Sequence, residues 1–183
     1  MGSDFLSSMN EYLNWNEALA EAVYPAEEGD RPAYMSLDEA QRDTVSVELG
    51  IQQEEFESKL STCVRNVLRL GSSGPVELFE HVNGELARWR RRRKDQRGAP
   101  PVLPLLAVLA VAAERMASSD GMAENNVYGR VKEVLEFPDE KRHFEQGYRR
   151  FGERYWGALN KWLEGEDGLR GLPTAVAVGH RYV

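Results

Sequence analysis

At 183 residues the chain is long enough to bury a sizeable core within one domain, and 42% hydrophobic with 29% charged residues excludes a disordered or fibrous class. The 23 basic and 30 acidic residues leave a net charge of -7, which argues against long-range attraction to nucleic acid over the whole surface. A single cysteine, Cys63, excludes an internal disulfide framework and fits a reducing compartment.

The first residues, "MGSDFLSSMNEYLNW", have neither a basic start nor an apolar centre, so no secretory signal is expected. Asn14 precedes "WNEALAEAVY" with Glu17 three residues on, a weak capping pattern, and Pro25 ends that helix. Pro32 pushes its predecessor away from helix, so a short strand is predicted near 32–37. Ser36 with Glu39 forms a capping box for "LDEAQRDTVSVEL", which stops at Gly50. Residues 1–50 thus read as a helical pair that could be set apart from a main bundle over 51–183.

Gln52 to Leu70 carries Phe56, Leu60, Val64, Val67 and Leu68 at helical spacing, with Cys63 on the same helix as a buried structural thiol. From Pro75, suited to a first helical turn, Val76, Phe79, Val82, Leu86 and Trp89 line one face of the next helix. The run "GAPP" breaks the chain, and Pro104 opens "LLAVLAVAAERMA", apolar all round and predicted to be the central buried helix. At Val102 to Ala113 this apolar run falls short of the ~20 residues that span a bilayer, so no membrane contact is expected and a cytoplasmic location is.

Beyond a loop containing Gly121, "AENNVYGRVKEVLEF" reads as a helix. Pro138 starts a long helix to about Glu164, with Phe144, Tyr148, Phe151, Tyr155, Leu159 and Trp162 as its buried stripe. A strand is predicted near 174–178. The fold expected is a single all-α domain over 1–183, about seven helices with minor β content. Because Tyr182 and Val183 are still apolar after that β-like run, these residues are expected to be the N-terminal part of a longer chain.

Enzymatic signatures are sparse. There is no phosphate-binding glycine loop with Lys-Ser/Thr, no Gly-x-Ser-x-Gly elbow, and His81, His143 and His180 stand singly, so no catalytic, cofactor or metal residues are assigned. Glu77 and Glu80 beside His81, and Glu140 beside His143, read as solvated side chains, and Glu164 to Asp167 as a solvated loop.

The distinctive segment is "ELARWRRRRKDQRGAPPVLP". Removing the seven basic and two acidic residues of Glu85–Arg97 leaves 16 basic against 28 acidic, a net of -12. At about 100° per residue Leu86, Trp89 and Arg93 fall within about 40° of Val82, so the apolar stripe runs into arginine. Past Trp89 the helix is basic all round, and unpaired guanidinium groups cannot be buried there. Arg88, Arg90, Arg91, Arg92, Arg93, Lys94 and Arg97 are therefore expected either to project towards phosphates or an acidic partner, with Trp89 able to stack on a base, or to stay solvated and pair with the acidic remainder of the same fold. A second nucleic-acid candidate is the helix–loop–helix outline over 104–135, where Asn125, Asn126, Tyr128, Arg130 and Lys132 open the second helix.

Together, "LNWNEALAEAVYPAEEGDRPAYMSLD", "AENNVYGRVKEVL" and "WGALNKWLEGEDGLRGLPTAVAVGHRYV" resemble the N-terminal region of large, poorly characterised bacterial proteins of anti-phage defence loci. The resemblance implies a bacterial cytoplasmic protein continuing past Val183 and supplies no active-site residues. The function expected is a non-catalytic recognition or scaffold module contacting the rest of a longer chain, a partner protein or nucleic acid. The alternatives are a dedicated nucleic-acid-binding domain and an enzyme of unrecognised type.

Overall fold

Apolar side chains at three-and-four spacing begin well before Asn14, and they set the first helix. In the computed structural model, which describes residues 2–26, 32–93, 97–117, 125–136, 141–165 and 170–173, helix α1 runs Gly2–Val23. Met9, Tyr12, Trp15, Asn16, Leu19 and Val23 are buried along one side, so the stripe carries the helix straight through the expected cap at Asn14. The helix stops two residues before Pro25, as expected.

Helix α2 is Glu39–Leu49. Its capping box lies two residues later than Ser36 and Glu39: Gln41 N–H donates to Asp38 Oδ1 at 2.8 Å and Asp38 N–H donates to Gln41 Oε1 at 2.9 Å. The cause is Leu37, whose side chain is buried in the core, which keeps the chain extended until Asp38. At the other end Gly50, in the left-handed region at φ 65°, donates to Val47 O while Ile51 N–H donates to Ser46 O, a Schellman arrangement.

A 3-10 turn, Gln53–Glu55, leads into α3, Phe56–Val67, which is shorter than expected because Leu68 is already extended. The single helix predicted from Pro75 is two helices, α4 Pro75–Leu78 and α5 Glu80–Arg91. The break is at Phe79, whose fully buried ring packs on Phe144, Phe151 and Tyr155 with centroids 5.3–6.3 Å away. Seating that ring turns Val76 off the stripe, leaving it 42% exposed.

Helix α6, Leu103–Ala117, is the central one: Leu103, Leu105, Leu106, Ala107 and Val108 are inaccessible to solvent. Two α1 side chains one turn apart receive its entry. Tyr12 Oη donates to Pro101 O at 3.2 Å, and Asn16 Oδ1 accepts Leu103 N–H at 3.0 Å while its Nδ2 donates to Ala99 O at 3.4 Å. The latter contact satisfies a first-turn N–H that the helix itself cannot. Helices α7, Asn125–Leu135, and α8, Lys141–Gly165, complete the bundle. Helix α7 packs on α3, α6 and α8, and the whole predicted aromatic stripe of α8 is buried.

The described residues therefore form an all-α fold of eight helices. The β content is one two-residue parallel pairing, β1 Pro32–Ala33 with β2 Leu172–Pro173, Pro32 opposite Leu172 and Ala33 opposite Pro173. Proline in each strand removes a ladder donor, which keeps the pairing brief. The predicted strand near 174–178 lies outside the described residues. Among them, no helix is long and apolar enough to cross a membrane.

Candidate functional site

Helix α5 is anchored as its sequence predicts: Val82, Leu86 and Trp89 are buried. Past Trp89 the chain stays helical for only two more residues, and Arg92 is extended at φ -68° and ψ 150°. The basic segment thus leaves the helix at Arg92, and only its first arginines lie on α5.

Trp89 does not face solvent. Its indole Nε1–H donates to Gly98 O at 2.8 Å, and the Arg97 guanidinium sits 5.0 Å from the centre of its ring. The return segment fixes the indole from one side and Arg97 covers it from another, so Trp89 cannot stack on a base, contrary to expectation. Arg97 is likewise turned back onto the fold rather than outwards. Lys94 lies outside the described residues. Arg88 forms an ion pair with Glu85 at 2.8 Å.

Arg90, Arg91, Arg92 and Arg93 remain, all exposed and without a carboxylate partner among the described residues. Arg90 reaches across to α8, donating from Nη2 to Arg154 O at 3.4 Å. Partial burial, then the neighbouring Arg154 charge, holds the Arg90 pKa below its ordinary value. Arg154 and Arg150, one turn apart, stack on the Phe151 ring, each 5.6 Å from its centroid. Both are exposed and unpaired among the described residues.

Other arginines behave differently. Arg42 and Arg115 share Glu57, at 3.0 and 2.5 Å, and Arg42 also meets Glu114. Arg65 pairs with Glu136 at 3.3 Å, Arg69 with Glu80, Arg130 with Glu133 at 2.8 Å, Arg149 with Glu145 at 3.2 Å and Arg170 with Glu21 at 3.0 Å. Apart from Arg142, the exposed unpaired guanidiniums among the described residues lie at the end of α5, just past it, and on the adjoining turn of α8.

Arg150 and Arg154 were not among the residues predicted from sequence. The signal was present: in "YRRFGERY" they fall on either side of Phe151, which the stripe places at the edge of the core. What could not be read was that this edge lies beside α5.

Only part of the second predicted contact region lies among the described residues. Asn125 and Asn126 open α7, but their side chains lie outside the described residues, as does the connection 118–124. Tyr128 is 1% exposed, its ring beneath the Arg149 guanidinium at 5.7 Å, and burial pushes its hydroxyl up to about 12. It cannot reach a base edge, because its position in the first turn of α7 is a core position. Arg130 is held by Glu133, and Lys132 is half-buried.

Cys63 is buried, and loss of solvation raises its thiol pKa well above the ordinary value, the opposite of an activated nucleophile. The His81 ring lies tilted against Phe5, centroids 4.2 Å apart, and partial burial lowers its pKa. Compared with protein-family models, with curated proteins and with solved structures, the chain matches none.

Proposed function

We propose that this chain is a non-catalytic helical recognition module that grips the phosphate backbone of nucleic acid through Arg90, Arg91, Arg92, Arg93, Arg150 and Arg154. The observation that carries this reading is the segregation of arginines. Eight of them are neutralised by carboxylates, whereas Arg90 and Arg91 at the end of α5, Arg92 and Arg93 just past it, and Arg150 and Arg154 on α8 have none among the described residues. Like charges gathered this closely repel one another, and a polyanion relieves that repulsion while accepting bidentate hydrogen bonds from each fork.

An acidic protein surface would satisfy the same charges, but stable protein interfaces also need a buried aromatic or aliphatic anchor. The two aromatics of this region, Trp89 and Phe151, are both buried, which favours phosphate. With Trp89 withdrawn, the contact has no base-stacking element, so binding is sequence-independent. The net charge of -7 confines the attraction to short range. The resemblance of the sequence to defence-type bacterial proteins supports placing the module in such a larger assembly.

Fluorescence anisotropy of the full chain with labelled duplex DNA and RNA tests the reading. Binding is expected to weaken with salt along a log–log slope of about -4 to -5, as contact with four to six phosphates gives. The triple variant R90E/R91E/R93E is expected to abolish it while circular dichroism stays unchanged. A wild-type chain silent at low salt overturns the proposal, and capture of an acidic protein by the same residues would replace it.

A further inference from the structure

Away from the arginine ridge, a cleft of about 640 Å³ opens between α1, the end of α2, the return segment 97–99 and the end of α8. Its walls carry both signs of charge: Glu17 and Glu21 from α1, Glu48 from α2, Arg97, and Arg170 just before β2. Arg170 is engaged on every side. It meets Glu21 at 3.0 Å, donates to Tyr24 O at 2.8 Å and lies 5.1 Å over the Trp162 ring.

Arg97 is not. Its guanidinium rests on the Trp89 face and has no carboxylate partner among the described residues. Glu17 and Glu48, in the same cleft, have no cationic partner among the described residues. A simple cation entering the cleft meets Arg97, and a simple anion meets two carboxylates. A molecule carrying both charges meets all three groups with opposite charge.

We infer that this cleft binds a small amino-acid-like zwitterion, its carboxylate on Arg97 and its ammonium held by Glu17 and Glu48. The paired Arg170 and Glu21 form a fixed wall on the Trp162 side. The volume lies in the range of small-molecule sites and leaves room for a side chain. Nothing in this inference depends on the arginine ridge.

The probes are the standard L-amino acids and their glycyl dipeptides at about 10 mM, where even millimolar affinity raises a melting temperature measurably. Thermal shift of the full chain should single out at least one of them, and calorimetry gives its affinity. R97Q, and separately E17Q/E48Q, are expected to weaken that affinity tenfold or more, as are N-acetylation and amidation of the ligand. Because Glu17 and Glu48 are exposed, their variant keeps the test intact even if R97Q fails to fold. The inference is overturned if no probe shifts the wild type. It is equally overturned if binding survives both ligand modifications or the E17Q/E48Q exchange. Loss of nucleic-acid binding alone leaves it standing.

Discussion

Gly147 shows how one missing side chain shapes the region behind the arginine ridge. A Cβ built there would lie 2.4 Å from Phe79 Cε2, 2.5 Å from its Cδ2 and 3.0 Å from the Pro75 carbonyl. The absence of that atom lets α4 approach α8 closely enough to seat the Phe79 ring, which in turn separates α4 from α5. Gly147→Ala is expected to cost about 1–3 kcal/mol in urea denaturation, as overpacking of a filled core does. No change in stability would mean that Phe79 moves freely, against its complete burial. Cys63 makes the complementary case, since nothing near it favours a thiolate. It is expected to resist Ellman's reagent in the folded protein and to react fully after denaturation; rapid native labelling would contradict its burial. The thiol's burial was legible from the helical spacing around it, whereas Phe79 as a helix break was not. Periodicity places a ring on a stripe, but the partner helix decides whether the backbone must turn to admit it.

At the level of elements, ends were harder to read than faces. The stripes of α3, α5, α6 and α8 were legible because three-and-four spacing is a local property of the chain. The start of α1 was misplaced because Asn14 resembles a cap, while the decisive fact is that Met9 and Tyr12 bury upstream of it. The α2 cap slipped by two residues for a similar reason, since Leu37 had to reach the core first. Asn16 is the clearest example of a polar residue whose role is tertiary. It bridges Ala99 and Leu103, residues more than eighty positions away, and closes the N-terminal turn of the central helix. Replacing it with alanine strands a buried N–H and should lower unfolding free energy by about 1–3 kcal/mol. Hydrogen exchange at Leu103 should accelerate in the same variant; a rate unchanged from wild type would show that another acceptor takes over.

Over the whole molecule, composition revealed a concentrated basic segment on an acidic chain but could not say which arginines were already spent. Arg88 and Arg97 belong to that segment, yet one is held by Glu85 and the other lies against Trp89. The free set reaches α8, which touches α5 where Asn83 accepts a hydrogen bond from Tyr155 Oη at 3.0 Å and Arg90 donates to Arg154 O. No local pattern encodes that adjacency.

The same segregation makes the protein electrically lopsided, and such a molecule should not behave as its isoelectric point near 5.1 implies. At neutral pH the chain should be retained by an anion exchanger, as its net charge requires. It should also be retained by heparin, through the guanidinium-rich side alone. R90E/R91E/R93E should leave the first retention intact or stronger and remove the second. A wild-type chain that flows through heparin at low salt would mean that the charge separation is too slight to be felt by a polyanion.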